Sequence, residues 1–147
     1  MVCIGNICRS PIAEGVMRHL AEKEHLEWEI ASAGTSNYHI GEPPHPFSRK
    51  TCLANGISIE HQRASQFKVT DFQYYDKIFA MSEDVLEDLM QLVKSQSDRQ
   101  KLGLLLDELP DFHLRSVPDP WYGDESGYQP VYEMIHKACQ EFILRNS

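Results

Sequence analysis

The chain has 147 residues, 41% apolar and 24% charged, with a formal net charge of −8. That length suits one domain with one proper core, and no apolar run reaches the roughly 18–20 residues of a membrane span. With no Lys/Arg stripe to offset the acidic balance, broad nucleic-acid binding is excluded, and any bound anion must be gripped locally. The expectation is a single soluble domain over residues 1–147. Four cysteines, Cys3, Cys8, Cys52 and Cys139, stand at irregular spacing with no signal peptide. They predict free thiols in a reducing cytoplasm rather than a disulfide framework.

The first element with helical periodicity runs from Ser10 to about His25 through Ile12, Val16, Met17 and Leu20, with Ser10 as N-cap and Pro11 opening the helix. Glu27–Ser32 (EWEIAS) alternates like a strand, and SAGTSNYHIGEPPHP is a Gly/Pro-rich loop. Phe47–Asn55 reads as a helix stopped by Gly56. Tyr75–Met81 (YDKIFAM) is the clearest buried strand, and Ser82 caps an amphipathic helix through Val85, Leu86, Leu89 and Val93. Lys101–Leu106 (KLGLLL) suits a further strand and Pro130–Leu144 a final helix. Strands separated by helices imply a parallel sheet covered on both faces, with the ligand site at the carboxyl ends of the strands. Cys52 and Cys139 fall inside the helical patterns, as small buried hydrophobes do.

The chemistry is concentrated in VCIGNICRS, Val2 to Ser10. Successive backbone N–H groups of a C-x5-R-S loop that opens a helix can curl around one oxyanion at the positive end of the helix dipole. Ile4, Gly5, Asn6, Ile7 and Cys8 form this ring. Gly5 permits close approach or positive φ, Asn6 tolerates the left-handed conformation, and Arg9 can fork onto two oxygens. Cys3 then lies beneath the phosphorus, where the field that holds a dianion also favours a thiolate, assisted by the Ser10 hydroxyl. A zinc half-site is disfavoured, because the thiolate spacing is wide and no second Cys/His pair accompanies it. A loop that binds phosphate without chemistry, or an ordinary turn before a helix, remains open. The second motif is SVPDPWYGDE, in which Pro118 and Pro120 hold Asp119 on a stiff loop. Asp119 is the expected general acid, and then the base that activates water against a cysteinyl-phosphate.

VCIGNICRSPIAE together with DPWYG resembles the low-molecular-weight protein tyrosine phosphatases, and SAGTSNYHIG, EHQRASQ and DKIFAMSEDVLEDL extend the likeness over most of the chain. The resemblance implies an α/β three-layer sandwich with a four-stranded parallel sheet and helices on both faces. It also implies Cys3 as nucleophile, Arg9 as phosphate clamp, Asp119 as acid and base, and neither metal nor cofactor. Asn6 is implied to hold the loop's shape, with His61 hydrogen-bonded to it, and Cys8 to form a reversible disulfide with Cys3 on oxidation; packing is the alternative for Cys8. Trp121, Tyr122 and Tyr38 can sandwich a phenyl ring in a pocket deep enough to favour aryl phosphates over phosphoserine, although each also suits loop packing. The implied partners are phosphotyrosine-containing proteins. Arsenate reductases of this fold need downstream cysteines that DKIFAMSEDVLEDLMQLV lacks. Protein arginine phosphatases resemble the family with threonine where Ile7 stands. They and a catalytically silent phosphoprotein-binding module are the alternatives. One departure is plain: the resemblance calls for a whole interior first strand, yet only Met1 and Val2 precede Cys3. Either a longer native chain supplies that strand, or another segment fills its slot.

Overall fold

The computed structural model describes residues 1–147. Its sheet has four parallel strands in the order β2-β1-β3-β4: β1 is Val2–Cys3, β2 Ala33–Gly34, β3 Ile78–Ala80 and β4 Leu102–Leu104. Six helices accompany them: α1 Arg9–Lys23, α2 Pro46–Ala54, α3 Asp71–Tyr74, α4 Glu83–Met90, α5 Gln96–Lys101 and α6 Tyr128–Asn146. No helix is long and apolar enough to cross a membrane.

Side chains alternate across the sheet, and both faces are covered. Phe79 and Met81 point into a large core shared with Ile12 and Val16 of α1 and Ile135 and Ala138 of α6. Ile78 and Ala80 point the other way, onto Phe72, Val85 and Leu89 of α3 and α4. That period of two, apolar on both sides, is why YDKIFAM reads as a buried parallel strand. The result is a three-layer sandwich.

Most elements shift at their ends, β3 shortening to Ile78–Ala80 and β4 to Leu102–Leu104, and three expectations are corrected. Helix α1 begins at Arg9, so Cys8 rather than Ser10 is the N-cap position. The Ser82 hydroxyl makes no cap bond to the backbone of α4; it donates to the Asp84 carboxylate. Glu27–Ser32 is not a strand: β2 is confined to Ala33–Gly34, because β1 beside it is only two residues long and the bridge on its other side, to Gln66, engages Gly34 alone. Val2–Cys3 itself holds the carboxyl-end part of the interior slot, and no other segment pairs there. Met1 carbonyl accepts from Ala33 N at 2.9 Å and Val2 carbonyl from Met81 N at 2.9 Å, joining β1 to both neighbours. These bonds aim Cys3 out of the carboxyl end of the sheet.

Gly34 makes that placement possible. A Cβ there would lie 2.5 Å from the Ile4 carbonyl oxygen and 3.2 Å from Asn6 N, both main chain of the cysteine loop. Gly34→Ala is therefore expected to push the loop outward, with urea denaturation showing a loss of about 1–3 kcal/mol.

Candidate active site

The chain leaves β1 at Cys3, turns through Ile4–Cys8, and enters α1 at Arg9. The turn depends on Asn6, whose φ of 58° lies in the left-handed region. Asparagine accepts that conformation better than other side chains, and here its amide is also fully used. Asn6 Nδ2 donates to Ser10 Oγ at 2.7 Å and to Ser32 Oγ at 3.0 Å, and Asn6 Oδ1 accepts from Ser65 N at 3.0 Å. Gly5 is not at positive φ; a Cβ there would come within 3.0 Å of His39 Cδ2, so close approach is its use.

Cys3 is buried, and two groups face its sulfur. Asn6 N donates to Cys3 Sγ at 3.2 Å, and Ser10 Oγ lies 3.0 Å away. Because Ser10 Oγ already accepts from the Asn6 amide, its own hydrogen is free to point at the sulfur. Both interactions strengthen as the sulfur becomes negative. Arg9, also buried, donates from Nη1 to the Val117 carbonyl at 3.0 Å and sets Nη2 3.6 Å from Asp119 Oδ2. Asp119 Oδ1 accepts from Trp121 N at 3.1 Å, capping the short 3-10 turn Pro120–Tyr122. The prolines thus leave one carboxylate oxygen tied to its own loop and the other facing the arginine.

Cys3, Ile4, Gly5, Ile7, Cys8 and Arg9 form the floor of a pocket of about 220 Å³, with Asp119, Tyr38, Trp121 and Tyr122 on its wall. Tyr38 and Tyr122 are 82% and 85% exposed, standing at the rim with ring faces free, and Trp121 is 48% exposed. Ser36 and His39 also line the pocket and were missed by the sequence reading. His39 packs 5.9 Å from the Trp121 ring, and Glu42 Oε2 lies 2.9 Å from its Nδ1.

Cys8 Sγ lies 3.5 Å from Tyr128 Oη, which is 3.4 Å from His45 Nδ1; His45 Nδ1 also accepts from Phe47 N at 3.1 Å. Burial pushes the Cys8 thiol up to about 11 and raises the Tyr128 phenol, whereas His45 is lowered by burial and by nearby Arg49. At neutral pH this row of groups is uncharged. All four cysteines are free thiols.

His61 is the one site residue that the structure places elsewhere. It is exposed, with Nε2 2.9 Å from Arg18 Nη1, and does not touch Asn6. In the EHQR turn it is Gln62 that faces inward, donating to the Pro11 carbonyl at 3.1 Å. Asn6 is held by Ser10, Ser32 and Ser65 instead. Ser32 in turn donates to Glu14 Oε1 at 2.7 Å, and Glu14 pairs with Arg18 at 3.0 Å, so a partly buried polar chain runs from the loop back along α1.

A family profile described as low molecular weight phosphotyrosine protein phosphatase matches residues 1–146. The chain belongs to this family. Among its relatives, the Gallus gallus low molecular weight phosphotyrosine protein phosphatase is 42% identical over 97% of this chain and 90% of its own length. The Bacillus subtilis low molecular weight protein-tyrosine-phosphatase YfkJ is 35% identical over 97% of this chain and 90% of its own length. In three dimensions, an Entamoeba histolytica protein tyrosine phosphatase superposes with a TM-score of 0.92 at 34% identity, covering 98% of this chain and 92% of that one. A Drosophila arginine phosphatase superposes with a TM-score of 0.93 at 27% identity, covering 99% and 95%. As a low molecular weight phosphatase the chain belongs to an enzyme family, and its α/β sandwich is the fold of these neighbours.

Proposed function

We propose that this protein hydrolyses phosphotyrosine in proteins, and small aryl phosphates, through a cysteinyl-phosphate on Cys3. The observation that carries the reading is the convergence of Asn6 N and Ser10 Oγ on Cys3 Sγ at the floor of a pocket that Arg9 and Asp119 enter from one side. The loop amides and the Arg9 fork take the three non-bridging oxygens of a phosphoryl group, which places phosphorus over the sulfur. Sulfur attacks as the ester bond breaks, and Asp119 donates its proton to the leaving phenolic oxygen. The carboxylate then accepts a proton from the water that attacks the cysteinyl-phosphate, releasing inorganic phosphate and the free thiolate. Ser10 donates to the sulfur whenever it carries charge, as it attacks and again as it leaves.

Selectivity follows from depth. Tyr38, Trp121 and Tyr122 stand around the mouth, so a flat phenyl ring is gripped on its way in while a short phosphoserine leaves the gap unfilled. The likeness to an arginine phosphatase supports a second reading, phosphoarginine hydrolysis. Ile7 opposes it by putting an apolar β-branched side chain where a guanidinium phosphate needs polar contacts. Comparing kcat/KM on phosphotyrosine, phosphoserine and phosphoarginine peptides separates them: phosphotyrosine should lead by at least about 100-fold. A phosphoarginine peptide that leads instead selects the second reading, and no turnover of any of them leaves a phosphate-binding module.

Cys8 takes the role of a resolving thiol in the same reading. Peroxide converts Cys3 thiolate to the sulfenic acid, and the Cys8 thiol condenses with it, forming the disulfide and releasing water. Burial keeps Cys8 protonated until then, raising its thiol to about 11 against the opposing hydrogen bond from Tyr128.

A further inference from the structure

Behind the pocket floor stands a row of side chains that the hydrolysis does not use. Three elements meet there, around Cys8: the cysteine loop, the start of α2 and the start of α6. Hydrogen bonds fasten the first two on either side of Cys8, with His45 N donating to the Ile7 carbonyl at 2.8 Å and Ser48 Oγ to the Cys8 carbonyl at 3.1 Å. From α6 the buried Tyr128 ring stacks on His45, centroids 5.5 Å and planes 22° apart, and Phe47 meets it edge-on at 5.4 Å. Trp121, from the pocket wall, abuts His45 at 5.5 Å.

The hydrogens in this box have one consistent arrangement. Phe47 N donates to His45 Nδ1, so that nitrogen is bare and the ring proton sits on Nε2. The 3.4 Å contact between Tyr128 Oη and the same nitrogen is then made by the phenol hydrogen. With that hydrogen engaged, the 3.5 Å contact to Cys8 Sγ is made by the thiol hydrogen. Donation therefore runs one way, from Cys8 to Tyr128 to His45, and His45 is only partly buried, so the row ends at solvent. Cys52 and Cys139 lack such company: burial pushes both up to about 12, and neither sulfur is hydrogen-bonded.

A thiol held at about 11 is a poor nucleophile at neutral pH, so Cys8 needs somewhere to leave its proton as it attacks. We propose that Tyr128 and His45 form a proton relay for that attack, with His45 as the acceptor that lets Cys8 resolve oxidised Cys3. The inference rests on the resolving role given to Cys8 above. The Cys8 sulfur attacks the Cys3 sulfenic acid left by peroxide, and the S–S bond forms as the S–O bond breaks. The Cys8 hydrogen passes to Tyr128 Oη while the phenol hydrogen passes to His45 Nδ1. The departing hydroxide takes a proton from solvent and becomes water, and the His45 imidazolium returns one to solvent. Tyr128 then donates to the Cys8 sulfur while it carries charge, the direction in which that bond opposes burial.

The groups around the row set its pH range. Burial is the largest influence on all three; beyond it, Arg49 of α2 lowers His45, Asp119 raises Cys8 and Tyr128, and Cys3 and Arg9 act on Cys8 in opposite directions. With its value lowered from 6.5, His45 is neutral, and able to accept, at and above that pH.

The test pulses the 147-residue protein with hydrogen peroxide in the presence of dimedone, which traps the sulfenic acid. Mass spectrometry reads the ratio of Cys3–Cys8 disulfide to Cys3 adduct between about pH 5.5 and 8.5. In the unaltered protein the ratio should be level above about pH 6.5 and fall below it, as His45 takes a proton. Tyr128→Phe keeps the ring, and His45→Asn keeps an acceptor for Phe47 N, but neither can pass a proton on. Each should lower the ratio by about 100-fold at neutral pH and replace the plateau with a rise of about tenfold per pH unit, following the thiolate fraction of Cys8. Under reducing conditions both should keep the unaltered kcat/KM on p-nitrophenyl phosphate. A loss by one factor at every pH marks a displaced Cys8 and overturns the relay alone, as does the unaltered profile in either variant. Adduct without disulfide in the unaltered protein overturns the resolving role beneath it as well.

Discussion

Cys3→Ser should abolish turnover of aryl phosphates, by at least about 10⁴-fold, while leaving affinity for inorganic phosphate nearly intact. A serine oxygen fits beneath the loop and accepts the same two donations that Cys3 Sγ receives from Asn6 N and Ser10. It has no comparable anionic form at neutral pH, so attack fails although the cradle survives. Isothermal titration with phosphate checks the second half of the statement. Arg9→Ala is the contrasting variant. Its guanidinium is buried and is the only lysine or arginine group in the pocket lining, so its loss should cost roughly 100-fold in phosphate affinity as well as turnover. Equal affinity losses in the two variants would contradict the division of roles between sulfur and guanidinium.

Asp119→Asn should slow the reaction in proportion to how badly the leaving group needs a proton. Phenyl phosphate, whose phenoxide is a strong base, is expected to lose about 10²–10³-fold in kcat/KM, and p-nitrophenyl phosphate much less. This graded loss distinguishes acid catalysis from the other job the geometry allows the carboxylate, which is to pair with Arg9 at 3.6 Å in the free enzyme. Removing a mere ion pair changes every substrate by the same factor. A uniform loss across leaving groups would therefore argue against the proton-transfer role.

How much of this was legible in the sequence depends on how far apart the cooperating residues lie. Cys3, Asn6, Arg9 and Ser10 fall within one turn and the start of one helix, so their spacing alone implies a common oxyanion site. Asp119 was legible because two prolines mark it as held in place, not because anything near it points back to residue 3. The residues that hold Asn6 were not. Ser32 and Ser65 stand 26 and 59 positions away, and nothing in a lone serine says which amide it will meet. His61 was expected in their place, yet the turn that carries it turns Gln62 inward and leaves the imidazole at the surface beside Arg18. The Val117 carbonyl that steers Arg9 is backbone and has no sequence signal at all.

In the fold, YDKIFAM and the long helices followed from periodicity because each is buried on a defined face. EWEIAS alternates as convincingly, but a strand needs a neighbour. With β1 only two residues long, the ladder stops at Ala33, and the same alternating residues become the wall of an open cleft. The short first strand, read as a difficulty from the sequence, turns out to be held by main-chain bonds on both sides and still to deliver Cys3 to the carboxyl end of the sheet.

The central claim is that the Cys3 sulfur itself becomes phosphorylated during turnover. Mixing the protein with ³²P-labelled phenyl phosphate, quenching within milliseconds into neutral denaturant and mapping the labelled peptide tests it directly. Label on Cys3, absent from Cys3→Ser and accumulating in Asp119→Ala because hydrolysis of the intermediate lacks its base, is the predicted result. Steady release of phosphate with no label on Cys3 at any quench time would contradict it.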